Sequence, residues 1–234
     1  MKLAHFELEQ PIEFEQEKII SWVIEDSQTF WKFSKELINQ INGISGKFVL
    51  SNDLKTLKLE SDAQIITSLF DVDFSSKKIT NLISKRLLRT VAEDEYLIKF
   101  NEIAKDIKFF LEEVVSDADL PVEIGDFEQD DLIKLANIKA SESNLFFENL
   151  VNYLELVLNL LCPKLLVLVN IKQYLNVKQL EDFKKFLMYQ DVSVLFLDYM
   201  FSNNIKCDSK TYFLDKDLCE FEYAGGNKIE SNII

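Results

Sequence analysis

Histidine is almost missing from this sequence: His5 is the only one. Hydrolysis by a serine or cysteine nucleophile with an imidazole base would have to use it, and no partner motif lies nearby. A lone histidine on an alternating stretch reads as structural. Glycine (five) and proline (three) are scarce, which excludes a collagen-like or disordered chain. The three cysteines, Cys162, Cys207 and Cys219, are odd in number and form no C-x-x-C pair. That argues against zinc and against a disulfide framework, and fits a reduced, cytoplasmic chain. No apolar run reaches about 18 residues, so no membrane-spanning helix is expected, and the N-terminus lacks the apolar stretch of a secretory signal. Bases are also short: 26 against 40 acids, net −14. An acidic average argues against a simple monomeric nucleic-acid binder, although an oligomer can concentrate a local basic surface.

Apolar residues are plentiful, at 47% of the 234 residues, enough for one large or two small domains. The opening "AHFELEQPIEFEQ" alternates and predicts two strands with one wet face. "SQTFWKFSKELINQING" predicts a helix capped by Asp26 or Ser27 and ended by Gly43. "KFVLS" and "AQIITSLF" are strand candidates. "SSKKITNLISKRLLRT" predicts a helix starting at Ser75 or Ser76. Residues 93–115 carry an apolar seam every three or four positions and want a partner helix, which 144–161 is able to supply. After Pro163, "LLVLV" (165–169) reads as a strand buried on both faces. A helix over 177–189 with Asn176 as N-cap and a strand over 192–197 follow, so the pattern implies a parallel sheet. "TYFLD" reads as an edge strand, and residues 225–234 as a flexible tail. The resulting division is an α/β head from 1–90 and 163–224, with a helical leg over 91–162 inserted.

In many ATPases a strand such as 165–169 ends in an acid that reaches magnesium; here it ends in Asn170. A phosphate loop needs glycines at set spacing, a Lys and a hydroxyl. The nearest match, "GISGK" (43–47), lacks the spacing and continues into Phe48. The turn "SLFDVDFSSKK" has no glycine, and Asp71, Asp73 and Phe74 would repel or obstruct a triphosphate. ATP hydrolysis is not expected.

Two segments reverse or exaggerate the charge. Residues 75–91 hold Lys77, Lys78, Lys85, Arg86 and Arg89 and no acid. On a helix, Lys78, Lys85 and Arg89 fall on one side, Lys77 lies off it, and Arg86 lies nearer the apolar stripe. An ordinary solvated helix face is the plain alternative, and Lys99, Lys105, Lys108, Lys134 and Lys139 compete for the same role. Residues 112–131 hold nine acids and no base. Such a run is either a solvated loop or bound to a hard cation, and its order is not that of an EF-hand.

Across nearly its whole length the sequence resembles the CRISPR-associated adaptation protein of type II-A systems (the Csn-two family, short form). The resemblance is carried by "FELEQPIEFE", by "DVDFSSKKITNLI" and by the block from "NIKASESNLFFENL" to "DVSVLFLD". It implies a P-loop-ATPase-like parallel-sheet head with the nucleotide site absent and an inserted helical leg. It implies a homotetramer, a ring through whose basic channel double-stranded DNA passes from free ends, and calcium (Ca2+) held by acids. It also implies a non-catalytic, cytoplasmic role in spacer acquisition beside the CRISPR integrase and the type II effector nuclease. On that reading Lys77, Lys78, Lys85, Arg86 and Arg89 are DNA-binding candidates. The calcium positions fall near Asp117, Asp119 and Asp131, with Glu123 as a substitute. Two other classes remain open: a degenerate P-loop NTPase-like protein still using nucleotide, and an acidic protein–protein interaction module.

Overall fold

The computed structural model describes residues 1–14, 18–53, 55–136, 138, 143–200, 210–224 and 227–229. Its elements are β1 (Lys2–Ala4), β2 (Ile12–Glu13), β3 (Ile19–Ile24), α1 (Ser27–Ile41), β4 (Val49–Asn52), β5 (Lys55–Leu57), α2 (Leu59–Asp62), β6 (Ala63–Ile66), α3 (Lys77–Val91), α4 (Asp94–Asp117), α5 (Gln129–Leu135), α6 (Phe146–Leu161), β7 (Leu165–Val169), α7 (Val177–Tyr189), β8 (Ser193–Tyr199), β9 (Lys210–Leu214), β10 (Glu220–Ala224) and β11 (Asn227–Ile229). The fold is mixed α/β. It divides into two units, Met1–Val72 with Ser143–Ile234, and Asp73–Glu142.

In the first unit a sheet runs β11-β10-β9-β3-β8-β7-β6. Its members from β9 to β6 are parallel neighbours, and β10 and β11 add antiparallel pairings. The apolar run 165–169 is fully buried because strand alternation sends its side chains to two cores. Leu165, Val167 and Val169 join Leu195, Leu197, Trp22 and the α1 residues Phe33, Leu37 and Ile41. Leu166 and Leu168 join Phe196, the α6 residues Leu150, Leu154 and Leu158, and Phe183 and Leu187 of α7. Each such leucine, fully withdrawn from water, contributes about 1.5–3 kcal/mol before entropy is counted. A second, antiparallel sheet runs β2-β1-β4-β5.

The caps follow the sequence. Asp26 accepts the Thr29 N–H at 2.7 Å, and Asn176 accepts the Gln179 N–H at 2.9 Å in a capping box. α6 ends at Cys162, which holds φ 47° and donates its N–H to Leu158; Pro163 cannot continue the helix.

Four expectations are corrected. Residues 5–10 form a turn closed by the Leu8 N–H on the His5 carbonyl at 3.0 Å, not a strand, so Phe6 stands exposed. β9 is not an edge strand: it sits between β3 and β10. Within the expected tail, Asn227–Ile229 pair with β10; residues 225–226 and 230–234 lie outside the described residues. The division also falls elsewhere than 91–162. α6 belongs with the sheet because its leucines complete the second core, and α3 belongs with the helical unit.

Buried charge was not legible locally. Lys172, in the turn after β7, is 5% exposed; its Nζ lies 3.1 Å from Asp198 Oδ2 and 4.5 Å from the Phe196 ring centre, and it also bonds Ser21 Oγ. His5 is buried against Phe6, Phe33 and Phe48, with Nδ1 accepting the Glu7 N–H and Nε2 3.5 Å from Glu36. Burial lowers its pKa against the opposing pull of Glu36 and Glu7.

Candidate nucleic-acid interface

The basic segment is α3, the first helix of the second unit. Its start is fixed by side chains. Asp73 accepts the Ser75 N–H at 2.8 Å and the Ser75 hydroxyl at 2.6 Å, and these bonds hold its carboxyl below the usual range. Ser76 caps the helix by accepting the Ile79 N–H at 3.4 Å. Ile79 is buried, as are Phe74, Phe100 of α4 and Ile133 of α5.

Lys77, Lys78, Lys85, Arg86 and Arg89 are all exposed. Among the described residues none of the five forms an ion pair, nor does the exposed Lys105 of α4, whereas three other lysines of the unit are engaged. Lys99 meets Glu95 at 2.6 Å, Lys108 meets Asp126 at 2.6 Å, and Lys134 pairs with Asp130. The Lys108 contact lowers the Asp126 pKa and raises that of Lys108. Lys139 lies outside the described residues. Lys77 and Lys78 stand in the first turn, which has no acid. Cations there oppose the helix dipole by about 0.3–1 kcal/mol each. Local stability therefore disfavours them, and an anion at this helix start reverses the sign.

The acidic positions are placed differently. Asp117 closes α4, and Asp119 follows its cap at φ 52°. The Asp119 N–H reaches Ser116 O and the Leu120 N–H reaches Val115 O, the two bonds of a left-handed helix ending. Asp119 thus terminates a helix. Asp131 is turned to the Glu128 N–H at 3.1 Å, in the cap of α5. Glu123 lines an open recess with Glu112 and Ser116. Among the described residues no three His, Cys, Asp or Glu side chains gather as cation ligands. Asp117, Asp119, Glu123 and Asp131 are therefore not gathered into one cluster within the described residues of a single chain.

α4 presents an apolar face that the sequence predicted and the unit leaves open. Tyr96, Ile103, Phe110 and Val114, spaced seven, seven and four apart, are exposed along one line of a 24-residue helix. The partner expected for it, 144–161, buries its leucines on the sheet instead.

The glycines of "GISGK" serve packing. Gly43 turns the chain after α1 at φ 85°. A Cβ on Gly46 would come 2.5 Å from Gln40, whose amide grips Phe48 by two bonds of 2.8 and 3.0 Å. Asn170, φ 54°, accepts the Tyr199 N–H at 2.7 Å through Oδ1 and so ties the end of β7 to that of β8. Among the described residues no helix is long and apolar enough to cross a membrane.

Residues 40–218 match the model of the family described as CRISPR-associated protein (Cas_Csn2). No curated protein matches the chain. Among solved structures it is similar to cbiO1 from Clostridium perfringens, part of the ABC transporter complex cbiONQ, at a TM-score of 0.45 and 13% identity over 82% of this chain and 72% of that one.

Proposed function

The chain belongs to the CRISPR-associated Cas_Csn2 family, and from that premise we propose that it is a non-catalytic, sequence-independent binder of double-stranded DNA ends that supports spacer acquisition. The family gives a role related to CRISPR adaptation. The observation that carries the finer reading is α3: five exposed cations, without an acid partner among the described residues, on a chain of net −14. Unpaired cations of this kind neutralise phosphates, and phosphate contacts do not read sequence.

One α3 offers too few contacts for tight binding against the charge of the whole chain. Four copies arranged as a ring bring four such helices to one duplex. The exposed line Tyr96, Ile103, Phe110 and Val114 supports assembly, since a monomer rarely leaves so much apolar surface on one helix. The head is then a P-loop-ATPase-like scaffold without a nucleotide site; Gly43, Gly46 and Asn170, engaged in the fold, support that reading. The integrase and the type II effector nuclease are the expected partners, in the cytoplasm. Calcium (Ca2+) is the expected stabiliser of the assembly, with Asp117, Asp119, Glu123 and Asp131 of the acidic run as its candidate ligands; EDTA is expected to lower the melting temperature or break the tetramer, and no change in either would count against the calcium sites.

The test compares linear with covalently closed circular duplex by gel shift, with solution mass measured on the same protein. A tetramer that shifts only free-ended duplex is expected. Equal binding to both forms refutes threading, and a monomer that binds neither refutes the proposal.

A further inference from the structure

We propose a second nucleic-acid contact, separate from α3: a patch of lysine-capped aromatic rings in the first unit that takes unpaired nucleotides, as in a single-stranded overhang. Trp31 of α1 is 59% exposed, with Lys35 Nζ 4.5 Å from its ring centre. Phe6, in the turn after β1, is 66% exposed, with Lys47 Nζ 4.3 Å from its ring. The two couples are stitched into one surface, because Lys32, next to Trp31, pairs with Glu7, next to Phe6.

The neighbouring acids are occupied. Glu7 is held by Lys32, and Glu36 accepts the Lys47 backbone N–H at 2.6 Å and faces His5. Among the described residues neither Lys35 nor Lys47 forms an ion pair through its ammonium; each stands over an aromatic face, with the Lys32-held Glu7 at longer electrostatic range of Lys47. Trp31 is not needed by the core, where Trp22, Phe33 and Phe48 already pack, and Phe6, although it touches the buried His5, leaves most of its ring to solvent.

Charge and shape together select the occupant. A lysine on an exposed ring gains only about two- to fivefold in equilibrium terms, whereas a nucleobase stacked on such a ring gains roughly five- to 150-fold in affinity. The base displaces the ammonium from the ring face, and the ammonium is then beside the nucleotide's phosphate. A paired base hides its face in the duplex stack, so the patch suits unpaired residues and tolerates any sequence. The inference uses the reading above only for the choice of polymer.

The test measures anisotropy of a blunt duplex, the same duplex with an oligo-dT 3′ overhang, and oligo-dT alone. Wild type is expected to bind the overhang duplex at least about fivefold tighter than the blunt one. Phe6→Ala with Trp31→Ala should abolish that advantage and leave blunt binding unchanged; Trp31→Phe should keep most of it. Lys35→Gln with Lys47→Gln should lower the salt dependence for oligo-dT by about 1.4 in log–log slope. Trp31 emission should quench on adding oligo-dT, over a constant signal from buried Trp22. Oligo-dT binding without blunt-duplex binding would sink the α3 reading and keep this one. No overhang advantage in wild type, or an advantage that survives the double alanine variant, overturns the proposal. Quenching that follows protein concentration instead of added oligo-dT also overturns it and assigns the face to a second copy.

Discussion

Replacing Lys78, Lys85 and Arg89 with glutamine tests the α3 reading quantitatively. All three side chains are exposed and have no ion-pair partner among the described residues, and glutamine forms helix about as well as lysine or arginine. The variant should therefore keep its melting temperature within the small range of surface substitutions, about 0.5 kcal/mol per site. Binding to linear duplex behaves differently. Each phosphate left without its cation takes roughly 0.9 from the slope of log K against log salt, so each protomer whose α3 grips the duplex lowers it by up to about 2.7, and one such protomer is the minimum effect. Where the electrostatic attraction vanishes at about 1 M salt, the same slope corresponds to a weakening on the order of 500-fold at 0.1 M. Anisotropy titrations from 50 to 200 mM salt, with solution mass as a control for assembly, read both quantities. A correctly assembled variant whose slope matches wild type refutes the assignment and moves the DNA path off this helix.

Three further outcomes are expected. Gly46→Ala should cost about 1–3 kcal/mol in chemical denaturation, because the new methyl displaces Gln40 from its two bonds to Phe48. Lys172→Ala should cost about 3–5 kcal/mol, since it removes the buried ammonium 3.1 Å from Asp198, and a loss under 1 kcal/mol would show that the pair is dispensable. Burial lowers the His5 pKa from 6.5, so the unfolded chain takes up the proton first as pH falls, and stability is lost below about pH 6.5. His5→Asn should show a smaller loss between pH 7 and pH 5 than wild type in parallel melts; an identical pH profile would count against that role.

Local pattern carried much of the architecture. The continuous apolar run 165–169 marked a doubly buried strand, and Asn176 marked the start of α7 to the residue. The basic run was equally visible, because five cations without an acid need no tertiary knowledge to be noticed. What stayed hidden depends on partners distant in the chain. Phe6 and Leu8 alternate like strand residues, yet a single hydrogen bond from Leu8 to His5 folds them into a turn. The leucines of α6 suit a helix partner as well as a sheet, and only the position of β7 and β8 decides between them. Lys172 gave no signal at all, since its neutralising acid is 26 residues away, at the end of another strand. Among the acids, composition could not distinguish carboxylates that gather a cation from those that end or cap helices, as Asp119 and Asp131 do.

Asn170 has a wider consequence. An aspartate at that position would put an acid at the strand's end, but its oxygen would inherit the clasp on the Tyr199 N–H. Gly43 and Gly46 are likewise committed, one to reversing the chain and the other to making room for Gln40. Placing a phosphate-binding turn on this frame would mean freeing three positions that the fold already uses, so each such change is expected to weaken the protein.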